Sequence, residues 1–135
     1  MIDLIYNKSE IIEKCIKRIR EEYENNKENL NNCTKQDSII LNIQRACEAC
    51  IDLAMYIVSI KRFGIPQNSR DVFDMLEENH ILDKDLAKKF KSMVGFRNIV
   101  VHNYEVINVD IIDGIINNNL EDMIKFKDII INEYC

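Results

Sequence analysis

The most informative segment of the chain runs from Thr34 to Arg62 and reads TKQDSIILNIQRACEACIDLAMYIVSIKR. Its apolar residues recur at spacings of three and four, which is typical of a helix. A helix that is apolar around so much of its circumference belongs at the centre of a bundle or in an interface between subunits. We expect the hydroxyl of Thr34 to cap its first turn. The stripe consists of Ile40, Ile43, Cys47, Cys50, Ala54, Ile57 and Val58, and Ile39, Ala46, Leu53 and Ile60 widen it.

The same spacing predicts four further helices along the chain. They run from about Lys8 to Asn25, from a cap at Ser69 through Leu76, from about Asp85, and from about Asn108 with a kink or restart at Asn117–Asn119. Only three glycines and one proline occur in 135 residues, which excludes a turn-rich β-sandwich or barrel. We therefore predict a single all-α domain over residues 1–135, an up-and-down bundle of about five helices with no β-sheet.

Neither the apolar runs nor the first residues indicate a membrane or secreted protein. The longest apolar run, Leu53–Val58, is far shorter than the ~18 residues that a spanning helix needs. The opening residues MIDLI lack a basic region and a small-residue cleavage site. We expect a cytoplasmic protein whose five cysteines are free thiols.

The formal net charge of -5 conceals a basic middle segment. Residues 61–97 carry eight Lys and Arg against six Asp and Glu. In this segment Arg70, Lys88 and Lys91 are candidates to contact a polyanion such as RNA. A solvated lysine face on a helix explains the same charges, so they permit an RNA partner without requiring one.

Two features that often indicate a metal-binding or catalytic site are poor candidates for one here. Cys47-Glu48-Ala49-Cys50 is a C-x-x-C motif, but it lies in the middle of a predicted helix, and no second ligand pair follows at zinc-like spacing. Two small apolar residues on a buried stripe explain it better. His80 lies in a short polar turn, and we assign it no role. We predict no metal and no cofactor.

The segment from Gly95 to Tyr104, GFRNIVVHNY, is a better candidate for a catalytic site than the C-x-x-C motif or His80. Within eight residues it combines an arginine, an amide, a histidine and a phenol. Five residues of ideal helix turn through about 500°, so Arg97 and His102 would point about 140° apart. Either the helix ends between them or a second subunit completes the site. The β-branched residues Ile99-Val100-Val101 and the following His-Asn favour a helix that ends near residue 102.

This segment resembles the R-x4-H signature of the HEPN superfamily, with Asn98 as the polar residue after the arginine. The H-x-Y extension, His102-Asn103-Tyr104, is similar to that of the HepT branch. The resemblance covers most of residues 35–110. It also includes the central helix at 46–58, the Phe-Gly-Ile-Pro segment at 63–66 and the Ser-Arg-Asp-Val-Phe segment at 69–73.

The resemblance implies a homodimeric helical bundle that acts as a metal-independent endoribonuclease. It also implies a toxin that is neutralised by a cognate minimal nucleotidyltransferase antitoxin of the MntA type. By the same resemblance, Arg97 and His102 match the catalytic pair, Asn98 matches the supporting polar position, and Tyr104 matches the tyrosine that the antitoxin adenylylates.

The hypothesis is RNA cleavage by attack of the ribose 2'-hydroxyl on the adjacent phosphorus. Arg97 would stabilise the phosphoryl oxygens, and His102 would transfer a proton. Two alternatives remain open. In one, Arg97 makes a structural ion pair, His102 ends a helix and Tyr104 packs. In the other, the chain is a non-catalytic helical dimer that binds RNA or a protein partner.

Overall fold

The computed structural model describes residues 2–102 and 107–135, and within these ranges the chain is helical with no strand. The helices are α1 (Ile2–Tyr23), α2 (Cys33–Ile60), α3 (Ser69–Glu78), α4 (Lys84–His102), α5 (Val109–Gly114) and α6 (Leu120–Tyr134). A 3₁₀ helix, Lys27–Asn31, joins α1 to α2, and a π-helical turn, Ile115–Asn119, joins α5 to α6. This architecture confirms the predicted all-α bundle. None of the described helices is long and apolar enough to cross a bilayer.

Helices α1 and α2 form an antiparallel pair. Helix α1 begins at Ile2, six residues before the predicted start, because Ile5 and Ser9 continue its buried stripe. The polar Ser9 hid that continuation in the sequence. Near the other end of the pair, the side chain of Asn32 accepts a hydrogen bond from the backbone N–H of Lys35 at 3.0 Å and caps α2. The prediction that Thr34 provides this cap was therefore wrong.

Helix α2 is the centre of the bundle, as its composition predicted. Its apolar stripe is buried against α1, α3, α4 and α6, except for Ile60 at its last turn, which is 38% exposed. Cys47 and Cys50 are 3% and 1% exposed, and burial raises the pKa of the Cys47 thiol to about 12. Their C-x-x-C motif therefore lies on the buried face. The described residues contain no group of three or more His, Cys, Asp or Glu side chains that could hold a metal ion.

The connection from α2 to α3 differs from the prediction in the residue that caps α3. The residue that leaves α2 in the left-handed conformation is Arg62, with φ of 56°, whereas Gly64 has a φ of 136°. Asn68, rather than Ser69, caps α3 by accepting a hydrogen bond from the N–H of Asp71 at 2.9 Å. Ser69 is thereby free to make a contact with another helix.

A cluster of three aromatic rings joins α3, α4 and α6. The ring of Phe73 lies 5.0 Å from that of Phe90 and 6.0 Å from that of Phe126, and the latter two are 4.9 Å apart. All three side chains are fully buried. Because aromatic packing fixes relative orientation, this cluster sets how α4 lies against α3.

The last two helices run continuously through the triple asparagine. Asn108 caps α5, at the predicted start, by accepting from the N–H of Ile111. The backbone at Gly114, Asn119 and Leu120 is helical, so Asn117–Asn119 widen the helix into a π turn instead of ending it. The amide of Asn117 donates to the carbonyl of Asp113 at 2.9 Å.

Candidate active site

Helix α4 carries both residues of the predicted catalytic pair. It is helical through His102, so the alternative in which the helix ends between Arg97 and His102 is wrong. On one straight helix the two side chains leave the axis about 140° apart. The alternative in which a second subunit completes the site is the one that this geometry leaves open.

Arg97 is held where α2, α3 and α4 meet. Its Nη2 donates to the hydroxyl of Ser69 at 2.8 Å, and its Nη1 lies 3.4 Å from Oε1 of Glu48. The side chain is 20% exposed, and its Nε is buried without a hydrogen-bond partner among the described residues. A guanidinium has five N–H donors, so these two contacts orient it and leave further donors for an anion.

The contact between Arg97 and Glu48 is an ion pair, as expected under the alternative in which Arg97 has only a structural role. It does not by itself argue against a catalytic role, because a guanidinium that must bind phosphate also needs a fixed orientation. Glu48 is half-buried, and its carboxylate therefore lies at the edge of the surface rather than in the core. The arrangement presents a pre-oriented cation at the surface of the bundle.

His102 lies on a different and largely polar stripe of α4. Asn98 lies one turn before it and Gly95 two turns before it, because spacings of four and seven residues bring side chains to one helix face. Asn98 and His102 are both exposed. The amide and the imidazole are therefore open to a substrate on this face.

Arg70 reaches the same stripe from the start of α3. A Cβ atom at Gly95 would lie 2.7 Å from Nη2 of Arg70, so the guanidinium rests directly on this glycine. Any larger residue at position 95 would displace it. The lack of a side chain at Gly95 thus places an exposed cation two helical turns from His102.

The two predicted RNA-contacting lysines continue the stripe away from His102. Lys88 is exposed, and Lys91 is half-buried with its Nζ 2.7 Å from the carboxylate of Asp74. Asp74 raises the pKa of Lys91, and the two charges largely compensate each other. Lys88 is therefore the better placed of the two for contact with a polyanion.

Tyr104 and its neighbour Asn103 lie outside the described residues. The sequence reasoning missed two residues that are in direct contact with Arg97, namely Glu48 and Ser69. Glu48 was noticed only as part of the C-x-x-C motif, and Ser69 only as a cap and as part of the segment at 69–73 that resembles the HepT branch. Both residues lie on other helices, Glu48 on α2 and Ser69 on α3. The spacing of residues along α4 therefore could not reveal their contact with Arg97.

Comparison with known proteins extends the similarity to nearly the whole chain. The model of the family described as "Ribonuclease HepT-like" matches residues 12–134. A curated relative, the mRNA nuclease HepT of Shewanella oneidensis strain MR-1, is 45% identical over 130 residues, which are 96% of this chain and 98% of the relative.

Two solved structures have the same fold. One is a crystal structure of a toxin–antitoxin with AMP-PNP, which is 44% identical, has a TM-score of 0.92, and covers 96% of this chain and 98% of its own. The other is the tri-AMPylated Shewanella oneidensis HEPN toxin in complex with MNT antitoxin, with 44% identity, a TM-score of 0.91, and coverage of 98% and 99%. With this fold and an R-x4-H-x-Y motif beginning on α4, the chain belongs to the HepT-like ribonuclease family.

Proposed function

We propose that this protein is a metal-independent endoribonuclease and the toxin of a toxin–antitoxin pair. The observation that carries the proposal is a guanidinium held at the surface by Glu48 and Ser69, on the same helix end as an exposed imidazole. The 45% identity to an mRNA nuclease supports the activity, and messenger RNA is the substrate class that the relative's name indicates.

The reaction is the attack of a ribose 2'-hydroxyl on the adjacent phosphorus. The new P–O bond forms as the bond to the 5'-oxygen breaks, which leaves a 2',3'-cyclic phosphate and a free 5'-hydroxyl. Arg97 stabilises the negative charge that develops on the phosphoryl oxygens. His102 transfers a proton to or from the reacting oxygens, and Asn98 on the same face orients the phosphate or the imidazole.

The active unit is a homodimer. Because Arg97 and His102 of one chain point about 140° apart on α4, a cleft between two copies brings an arginine and a histidine onto one linkage more readily than one chain alone. We place the whole of residues 1–135 in one domain, and we place the dimer in the cytoplasm, where RNA is available.

The partner is a cognate nucleotidyltransferase antitoxin of the MntA type. Its proposed target is Tyr104, two residues after His102. A transferred AMP group adds negative charge and bulk close to where the RNA phosphate must lie, so it blocks cleavage by repulsion and by steric exclusion. The tri-AMPylated toxin among the solved structures supports this form of control.

The test is incubation of the purified protein with an RNA and with a DNA of the same sequence, both in EDTA. We expect the RNA to be cut to products with 2',3'-cyclic phosphate ends and the DNA to survive, because DNA lacks the attacking hydroxyl. Cleavage that EDTA abolishes would contradict the proposed chemistry. An intact RNA that remains bound to the protein would favour the non-catalytic binding module.

Replacing Tyr104 with phenylalanine is expected to abolish modification while cleavage is retained. The substitution removes only the hydroxyl that would accept AMP. Intact-mass spectrometry after incubation with the antitoxin and ATP checks this, with Tyr134→Phe as the matched control for a tyrosine elsewhere. Equal AMP addition to wild type and to the Tyr104 variant would show that another residue is the target.

A further inference from the structure

A groove of about 420 Å³ lies between α1 and α2, beside the candidate active site. Glu48 forms part of its wall, and the same carboxylate contacts Arg97 at 3.4 Å. The groove and the catalytic arginine are therefore separated by a single side chain. Glu48 therefore borders both the groove and the guanidinium of Arg97.

The acidic side chains that line the groove are already paired. Asp52 on α2 forms an ion pair with Lys8 on α1 at 2.8 Å, and Glu48 pairs with Arg97. Lys14 pairs with Glu10, one turn earlier on its own helix, at 2.8 Å. The charge of the groove therefore depends on its remaining ionisable side chains.

Those side chains are Arg18 from α1 and Arg45 from α2. Both are exposed, and within residues 2–102 and 107–135 neither makes an ion pair or a hydrogen bond. They converge on Cys15, where their positive charges partly offset the rise in the pKa of that thiol caused by burial. Two uncompensated guanidinium groups thus face one concave surface of a protein whose net charge is -5.

We infer that this groove binds backbone phosphates of the substrate RNA, on the strand that continues past the linkage held by Arg97. The inference rests on the proposed function and adds a binding surface to it. Guanidinium groups match phosphate oxygens in geometry and charge. Arg45 lies three residues before Glu48 on α2, so it shares a helix face with the residue that borders Arg97. An apolar partner would leave both guanidinium groups unsatisfied.

The experiment measures the affinity of a fluorescent single-stranded RNA for protein carrying His102→Ala, a substitution that slows cleavage of the RNA during the binding measurement. Arg18→Ala and Arg45→Ala are added separately and together, and Lys125→Ala is the control because this exposed lysine on α6 does not line the groove. Each groove substitution is expected to weaken binding roughly tenfold, the value of one charged phosphate contact. Each should also reduce the slope of log affinity against log salt by about 0.7.

The outcomes separate this inference from the proposed function. Cleavage by the wild type, measured in parallel, tests the function alone. Equal affinities and salt slopes for the groove variants and Lys125→Ala would overturn the inference even if the wild type cuts RNA. A groove variant that keeps its RNA affinity but sediments as a smaller species, or loses affinity only for the antitoxin, would identify a protein interface and also overturn it.

Discussion

Replacing His102 with alanine is expected to lower the rate of RNA cleavage by about 10²- to 10⁴-fold, the usual contribution of a positioned acid–base group. The side chain is exposed at the end of α4, so its removal costs no core packing. RNA affinity is expected to change little, because the phosphate contacts belong to arginines and lysines. Single-turnover cleavage together with equilibrium binding measures the two effects separately.

The control for this substitution is the other histidine of the chain, His80. Its backbone is left-handed, with φ of 61°, so asparagine is the suitable replacement because it tolerates that conformation. His80→Asn should cleave like the wild type. Wild-type rates in His102→Ala would remove the imidazole from the mechanism.

Replacing Arg97 with alanine is expected to lower cleavage by about 10²- to 10³-fold, comparable to the loss of one donor that stabilises charge in a transition state. Arg97→Lys should recover only a small part of this. A lysine keeps the charge, but its ammonium cannot contact Ser69 and Glu48 in the fork geometry of the guanidinium and still face a phosphate. Rates are measured under single-turnover conditions with Lys125→Ala as the charge-matched control.

The neighbours of Arg97 distinguish a catalytic role from a structural one. Glu48→Gln removes the ion pair but keeps the volume and a hydrogen-bonding group, so its cleavage rate should lie between those of wild type and Arg97→Ala. Thermal unfolding of each variant shows whether the bundle itself is weakened. If Arg97→Ala loses stability but cleaves at the wild-type rate, the Glu48 contact is only a structural ion pair.

The helices could be predicted from the sequence because each has an apolar face that is buried in the core. In α2 the stripe through Ile43, Cys47 and Ile57 is buried as its spacing required. The errors lie at helix ends. Thr34 and Ser69 look like caps, yet Asn32 and Asn68 provide the hydrogen bonds, because a cap depends on the backbone conformation at one residue and not on composition alone.

The sequence alone identified Arg97, Asn98 and His102 as candidates, through the order of polar types in a short segment and its resemblance to a family. It could not show how they are held. Glu48 and Ser69 lie 49 and 28 residues before Arg97 in the chain and reach it only because three helices meet there. Gly95 likewise matters only because α3 brings Arg70 against it.

What the amino-acid order determined by itself is local: which segments form helices, which face of each is apolar, and which chemical groups stand near the end of α4. What only the tertiary structure decided is the set of contacts between helices, including the two partners of Arg97 and the basic groove between α1 and α2. The physical reason is that hydrophobic periodicity is a property of one or two helical turns. Ion pairs and grooves between helices depend instead on packing angles. Those angles are set by side chains that lie far apart in the chain, such as Phe73, Phe90 and Phe126.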